Sequence, residues 1–303
     1  MKEFAFDHFA PFADRITPAD PAVVAVAGAA DEAVLQTCLA GARYGLARCL
    51  LFDRADVLRK HLELEDIPDG MLEIIQSKDP ATDAALSAGR GESDMVMKGR
   101  VSSSAFLKAI LSDEAGLVVG RRLSHVGFFD VPSFPRLLGM TDGGINVDPD
   151  FETRVEIVRN AAEAGRSLLG RPPRIALVAA VEKVQGNMSV TRDWAAIAKM
   201  ADRGEFGEAF VDGPLGLDNA LDADAAATKG IAGEVPGKAD IVVVPDIEAG
   251  NLMGKTLTYL ANAPMAGLVV GARVPVILNS RADSATARMA SLVLAATIGR
   301  VQS

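Results

Sequence analysis

Near the carboxyl end of the chain, Ser280-Arg281-Ala282-Asp283 brings a hydroxyl, a guanidinium and a carboxylate together directly after an apolar segment. A guanidinium can grip a phosphate through two parallel hydrogen bonds, and a hydroxyl can donate to a carbonyl oxygen as negative charge builds there. The same residues would also serve as a helix cap with a surface Arg, and spacing alone leaves both readings open. A second group runs Lys98-Gly99-Arg100-Val101, then Ser102, Ser103 and Ser104. Two cations, small hydroxyls and the start of a helix are suited to holding an anion. An ordinary N-cap flanked by solvated Lys and Arg fits them equally.

Other stretches imitate chemistry that their spacing excludes. Residues 250–256, GNLMGKT, follow an apolar strand and precede a helical pattern, as a phosphate-wrapping loop would. Such a loop needs four residues between its first Gly and the Gly-Lys pair, and here there are three, with Ala249 at the required position. VAVAGAADE near the start lacks the G-x-G-x-x-G spacing of a dinucleotide fingerprint. His125 has no nucleophile elbow of the G-x-S-x-G type to serve and reads as a polar residue packed near a strand. No cluster of His, Cys or paired acids has metal-ligand spacing.

The elements that must position these groups alternate strand and helix. Apolar runs at 23–28, 49–53, 71–75 and 94–97 are each followed by helical spacing, with Asp31 placed to cap the first helix and the last helix opening near Ser104. Further strands are expected at 127–130, 175–180, 208–211, 241–244, 265–271 and 275–278. Helices are expected at 151–169, 191–201 and 223–229, from about Leu252, and at 285–298, where Gly299 would end the last one. This βαβ alternation predicts parallel sheets in an α/β fold. Pro245 to Asn251 reads as a strand-to-helix loop, the place where doubly wound sheets bind ligands. The Gly-rich turn before Asp148-Pro149-Asp150 predicts a domain change near residues 140–150.

With 303 residues the chain is long enough for one large or two medium cores. A net charge of -9 and a pI near 5.0 exclude a general nucleic-acid surface, which needs clustered Lys and Arg. Two cysteines among small and apolar residues predict buried thiols in a reducing compartment. The N-terminus has no apolar core behind a basic start, and no run approaches the roughly eighteen apolar residues of a membrane span. A soluble, cytoplasmic protein is expected.

Five blocks then add up: MKGRVSSS (97–104), RLSHVGFFDVP (122–132), DGPLGLDNA (212–220), ADIVVVPDIEAGN (239–251) and KTLTYLANAPMAGLVVGARVPVILNSRADS (255–284). In order and spacing they resemble the phosphate acetyl/butyryltransferase family from about residue 20 to the end. The resemblance implies reversible transfer of a short acyl group between coenzyme A and inorganic phosphate. Acyl-CoA plus phosphate would give acyl phosphate plus CoA in a ternary complex, with coenzyme A as a substrate and no cofactor. It also implies a cytoplasmic homodimer whose two three-layer α/β domains flank a cleft and are similar to isocitrate and isopropylmalate dehydrogenases. Residues 1–140 plus 277–303 would form the first domain and 141–276 the second.

Carried over by position, Ser280 would hydrogen-bond the thioester carbonyl and Arg281 would hold phosphate. The acid of phosphotransacetylases seven residues beyond that serine is Ala287 here. Asp283 is the nearest carboxylate and is similar to the acid of the butyryl branch. Lys108 falls where acetyl-branch relatives have a phosphate-binding arginine, and Arg122 is similar in position to a second one. Ser103, Ser104, Asn251 and Glu248 would line the cleft, and Lys98 and Arg100 would meet CoA phosphates. Two other readings compete: a CoA-binding relative without turnover, suggested by Ala287, and a nicotinamide-dependent dehydrogenase of the same fold. The second would need paired metal-binding aspartates, which are not apparent.

Overall fold

The computed structural model describes residues 8–16, 19–62, 68–118, 120–280 and 283–302. Two compact units divide the chain, Met1–Arg121 with Ala266–Ser303 and Arg122–Met265. The first lays down β1 (Ala22–Ala27), β2 (Ala47–Asp53), β3 (Leu72–Gln76) and β4 (Met95–Lys98), with helices α1 (Ala10–Ala13), α2 (Glu32–Arg43), α3 (Ala55–Leu62), α4 (Pro80–Gly89) and α5 (Ser103–Ile110). The second carries β5 (Ser124–Phe129), β6 (Leu138–Thr141), β7 (Arg174–Val178), β8 (Phe210–Leu215) and β9 (Ile241–Val243). Its helices are α6 (Phe151–Leu169), α7 (Ser189–Ala201), α8 (Leu217–Leu221), α9 (Ala223–Thr228) and α10 (Ile247–Leu260). The chain returns through β10 (Met265–Val270) and β11 (Val276–Ile277) to α11 (Ala285–Gln302).

In the first unit the strands run β3-β2-β1-β4-β11-β10, parallel except where β11 turns back antiparallel to β10. β1 is buried along nearly its whole length, as expected for a parallel strand covered on both faces. Helix α11 packs Leu292 and its neighbours against α2, closely enough that a Cβ on Gly41 would lie 2.8 Å from Leu292 Cδ2. The second unit orders its strands β5-β6-β9-β7-β8, with β5 and β6 antiparallel. Its core joins Phe129, Leu138, Met140, Ala176, Val242 and Leu215, with Met253 and Leu257 of α10 packed on it.

Both boundaries differ from the sequence expectation at 140/141 and 276/277. Phe129 pairs with Leu138 across the β5–β6 hairpin, which keeps residues 122–140 with the second unit. Leu268 pairs with Ile277, which draws β10 into the first.

Three local readings are corrected. Helix α10 begins at Ile247 rather than near Leu252, because Asp246 accepts the Ala249 N–H at 2.8 Å and caps it. Glu248, Gly250 and Asn251 therefore sit on the helix, and GNLMGKT contains no loop that could wrap a phosphate. Gly250 permits close packing: a Cβ there would lie 2.6 Å from Gly143 Cα. Gly299 does not end α11 but lies inside it, where a Cβ would stand 3.0 Å from the Asp94 carbonyl oxygen. Finally, α8 occupies part of a segment expected to be loop.

No described helix is long and apolar enough to cross a membrane. Cys38 and Cys49 are both buried and free, with Cys49 Sγ 3.9 Å from the Cys38 carbonyl oxygen. Hydrogen bonding with Cys38, then burial, pushes the Cys49 thiol well above its usual range, so it is a poor nucleophile.

Candidate active-site residues

Strand register sets the position of the groups in the first unit. Val276 and Ile277 of β11 pair in parallel with Val96 and Met97 of β4, so the loops opening at Lys98 and Leu278 leave adjacent strands at one edge. β1 ends level with them, since Ala27 pairs with Lys98. This is the carboxyl edge of the parallel strands.

The Lys98–Ser102 loop is fastened to β1 by main-chain bonds from Gly99 N–H to Ala27 O (2.8 Å) and from Arg100 N–H to Gly28 O (2.6 Å). Two glycines allow this approach. Gly28 has φ +76°, and a Cβ on Gly99 would stand 2.2 Å from the Gly28 carbonyl oxygen. Ser102 then caps α5 by accepting the Ala105 N–H at 3.1 Å, leaving Ser103 and Ser104 exposed in the first turn. Arg100 is exposed beside them.

Lys98 differs from both sequence readings, for it is only 7% exposed and its Nζ lies 3.4 Å from the Gly99 carbonyl oxygen. It is neither a solvated surface cation nor an outward arm. Lys108 is exposed but occupies the last turn of α5, about 7.5 Å along the helix axis from Ser103 at the usual rise. The structure does not bring it to the loop edge.

Ser280 is exposed, while Asn279 before it is buried. Asp283 Oδ2 accepts the Ser280 N–H at 2.7 Å and Asn279 Nδ2 at 3.2 Å, which ties Asp283 to both residues. Among the described residues none donates to Asp283 Oδ1. Arg281, the expected phosphate ligand, lies outside the described residues. Ala287 is buried in the first turn of α11.

The second unit gathers its groups at the corresponding edge. β5 is antiparallel to β6, so Arg122 at the entrance of β5 lies beside the exit of β6, where Asn146 Nδ2 donates to Leu123 O at 2.9 Å. Buried Asp142 organises that exit, its carboxylate accepting the N–H groups of Gly144, Ile145 and Asn146. Arg122 is exposed, and its carbonyl oxygen accepts Asn160 Nδ2 at 2.9 Å. The Thr153 hydroxyl, then the Thr153 N–H, holds the Asp150 carboxyl below the usual range, with Arg122 and Arg154 adding attraction. Glu248 and Asn251, three apart on α10 and both exposed, share one helix face after β9.

The expected residues that the structure describes thus fall into two groups, one at the carboxyl edge of each unit's parallel strands, with Lys108 apart. The family described as Phosphate acetyl/butaryl transferase matches residues 68–296, a span that contains every one of them. The chain belongs to this acetyl/butyryl transferase family. A phosphate butyryltransferase of Clostridium acetobutylicum is 40% identical over 280 residues, covering 91% of this chain and 92% of the relative. A phosphate acetyltransferase of Rhizobium meliloti is 39% identical over 279 residues, covering 91% and 88%. Among solved structures, a branched-chain phosphotransacylase from Enterococcus faecalis V583 superposes with a TM-score of 0.79 at 30% identity, covering 92% of this chain and 99% of that one. Membership in this acyltransferase family makes the chain an enzyme.

No motif in the sequence points to the side chains that hold the Ser280 loop. Asn279, Arg288 and Ser291 are buried polar residues around it. Their helical spacing shows only that Arg288 and Ser291 share a face of α11.

Proposed function

We propose that this enzyme transfers a short acyl group reversibly between coenzyme A and inorganic phosphate: acyl-CoA plus phosphate gives acyl phosphate plus CoA. The family match over residues 68–296 carries the reading. A phosphate oxygen attacks the thioester carbonyl carbon, the new C–O bond forms, and the C–S bond breaks as the tetrahedral intermediate collapses. Ser280 donates a hydrogen bond to the carbonyl oxygen while it bears charge, and Arg281 holds the attacking phosphate. The proton released by phosphate passes to the departing CoA sulfur through Asp283 Oδ1, and in reverse the same oxygen accepts the thiol proton.

Phosphate and acyl-CoA are bound together in a ternary complex without a covalent enzyme intermediate. Burial and the raised thiol of Cys49 support this, since neither cysteine is placed as a nucleophile. Ser103, Ser104 and Arg100 in the first unit, and Arg122, Glu248 and Asn251 in the second, bind the substrates. Buried Lys98 lies behind the first group. Asp283 with Ala287 resembles the butyryl branch, which favours butyryl-CoA over acetyl-CoA. The resemblance also supports a cytoplasmic homodimer, and sedimentation at about the monomer mass would contradict the dimer.

Replacing Arg281 by Ala should lower kcat/KM for phosphate on the order of 100-fold, as loss of one charge-stabilising donor does elsewhere. Steady-state thiol release at varied phosphate reads it out, and an unchanged value would remove Arg281 from the site. Acyl-CoA binding by calorimetry without turnover in the unaltered enzyme would point instead to a non-catalytic relative.

A further inference from the structure

Arg288 stands in the first turns of α11 with only 7% of its surface exposed. Its Nη2 donates to the Ser280 carbonyl oxygen at 2.9 Å, and its main-chain N–H donates to Ser284 O at 3.1 Å. Both main-chain polar groups of Ser280 are therefore held: the Asp283 carboxylate takes its N–H, while the Asp283 N–H and Arg288 Nη2 both donate to its carbonyl. Behind it, Asn279 Nδ2 also reaches Ser291 Oγ at 3.1 Å. That hydroxyl accepts the Gly267 N–H at 3.0 Å and donates to Ala287 O at 2.9 Å. The loop is tied both to β10 and to α11.

Starting α11 does not require Arg288. Ser284 Oγ accepts the Ala287 N–H at 3.1 Å and supplies the cap. The Ser280 carbonyl also accepts the Asp283 N–H at 3.2 Å, so it has a donor without the cost of taking a guanidinium out of solvent. A second, charged donor to that carbonyl is explained if the direction of the neighbouring hydroxyl matters.

We infer that Arg288 is a positioning residue for acyl transfer, fixing the Ser280 main chain so that its hydroxyl meets the thioester carbonyl. The inference rests on the proposed function. A planar fork is needed for it, because a Lys ammonium is a point donor on a flexible stem and would hold the carbonyl less rigidly.

The test uses full-length Arg288→Gln, Arg288→Lys and Arg288→Ala in the thiol-release assay, with phosphate and butyryl-CoA varied separately and melting followed alongside. Arg288→Gln should lower kcat at least about tenfold, since small misplacements of a reacting group carry penalties of that order. Its KM for butyryl-CoA should stay within about twofold, as the thioester's binding groups are untouched. Arg288→Lys should recover part of the loss, and added guanidinium should raise the rate of Arg288→Ala but not of wild type. A folded Arg288→Gln with wild-type kcat overturns the inference, as does a KM for butyryl-CoA that rises in step with the fall in kcat/KM. If Arg288→Gln does not fold, Arg288→Lys decides by the same criteria. Misfolding of both assigns Arg288 to the fold alone and also overturns it. Absence of phosphate-dependent thiol release from the wild-type enzyme would instead sink the proposed function, a distinct result.

Discussion

Asp283→Ala should reduce kcat for acyl transfer by about 1,000-fold or more, because one side chain serves two purposes. Oδ2 closes the Ser280 turn by accepting the Ser280 N–H and Asn279 Nδ2, and Oδ1 is assigned the proton exchanged with the CoA thiol. Alanine removes both at once. Asparagine separates them, since its amide oxygen can still accept the Ser280 N–H but cannot take a proton at neutral pH. Asp283→Asn should therefore lower kcat by roughly 100-fold, the low end of what general acid–base groups contribute, with melting near that of wild type. The further loss from Asn to Ala measures the clamp. If Asp283→Asn retains kcat within a factor of about three, the carboxylate only fastens the loop, and the thiol proton goes elsewhere.

Gly99→Ala should be the most damaging of the small substitutions at the first unit's edge. A Cβ there would lie 2.2 Å from Gly28 O and 2.9 Å from Ala27 O, and both contacts are main chain that cannot rotate away. Relief requires moving the Lys98–Ser102 loop off β1, stretching bonds of 2.8 and 2.6 Å. Overpacking of this kind costs roughly 2–3 kcal/mol, which corresponds to a drop in Tm of about 5–10 °C for a unit of this size. Activity should fall together with stability, since Arg100, Ser103 and Ser104 move with the loop. Gly186→Ala provides the control, because a Cβ there meets nothing within 4 Å. Equal melting temperatures for the two variants would show that the β1–β4 loop contact is not tight in solution.

These two sites illustrate what the sequence could convey. Helix α6 is legible to the residue because its signals are local: Asp150 caps it through Thr153 N–H, and Gly170 ends it at φ +65°. The start of α10 is not, because Gly250-Asn251 looks like a chain break while Gly250 is dictated by Gly143, distant in sequence. Gly299 misleads for the same reason, since close approach to Asp94 requires it where helix-ending chemistry would also place it. Ordered blocks made the acyltransferase family readable. Burial made the difference elsewhere. Lys98 reads as a surface cation yet lies inside, and Arg288 is distinguished from any helical arginine only by the carbonyl it meets. Lys108 shows the converse: falling where relatives have an arginine does not carry a side chain to the edge where α5 begins.

Phosphate dependence tests the central claim most directly. Purified enzyme is mixed with acetyl-, propionyl- or butyryl-CoA, and free thiol is titrated with and without inorganic phosphate. Acyl transfer to phosphate predicts thiol release that requires phosphate, saturates with it, yields one acyl phosphate per thiol, and is fastest with butyryl-CoA among the three. No phosphate-dependent release with any of these thioesters would contradict it.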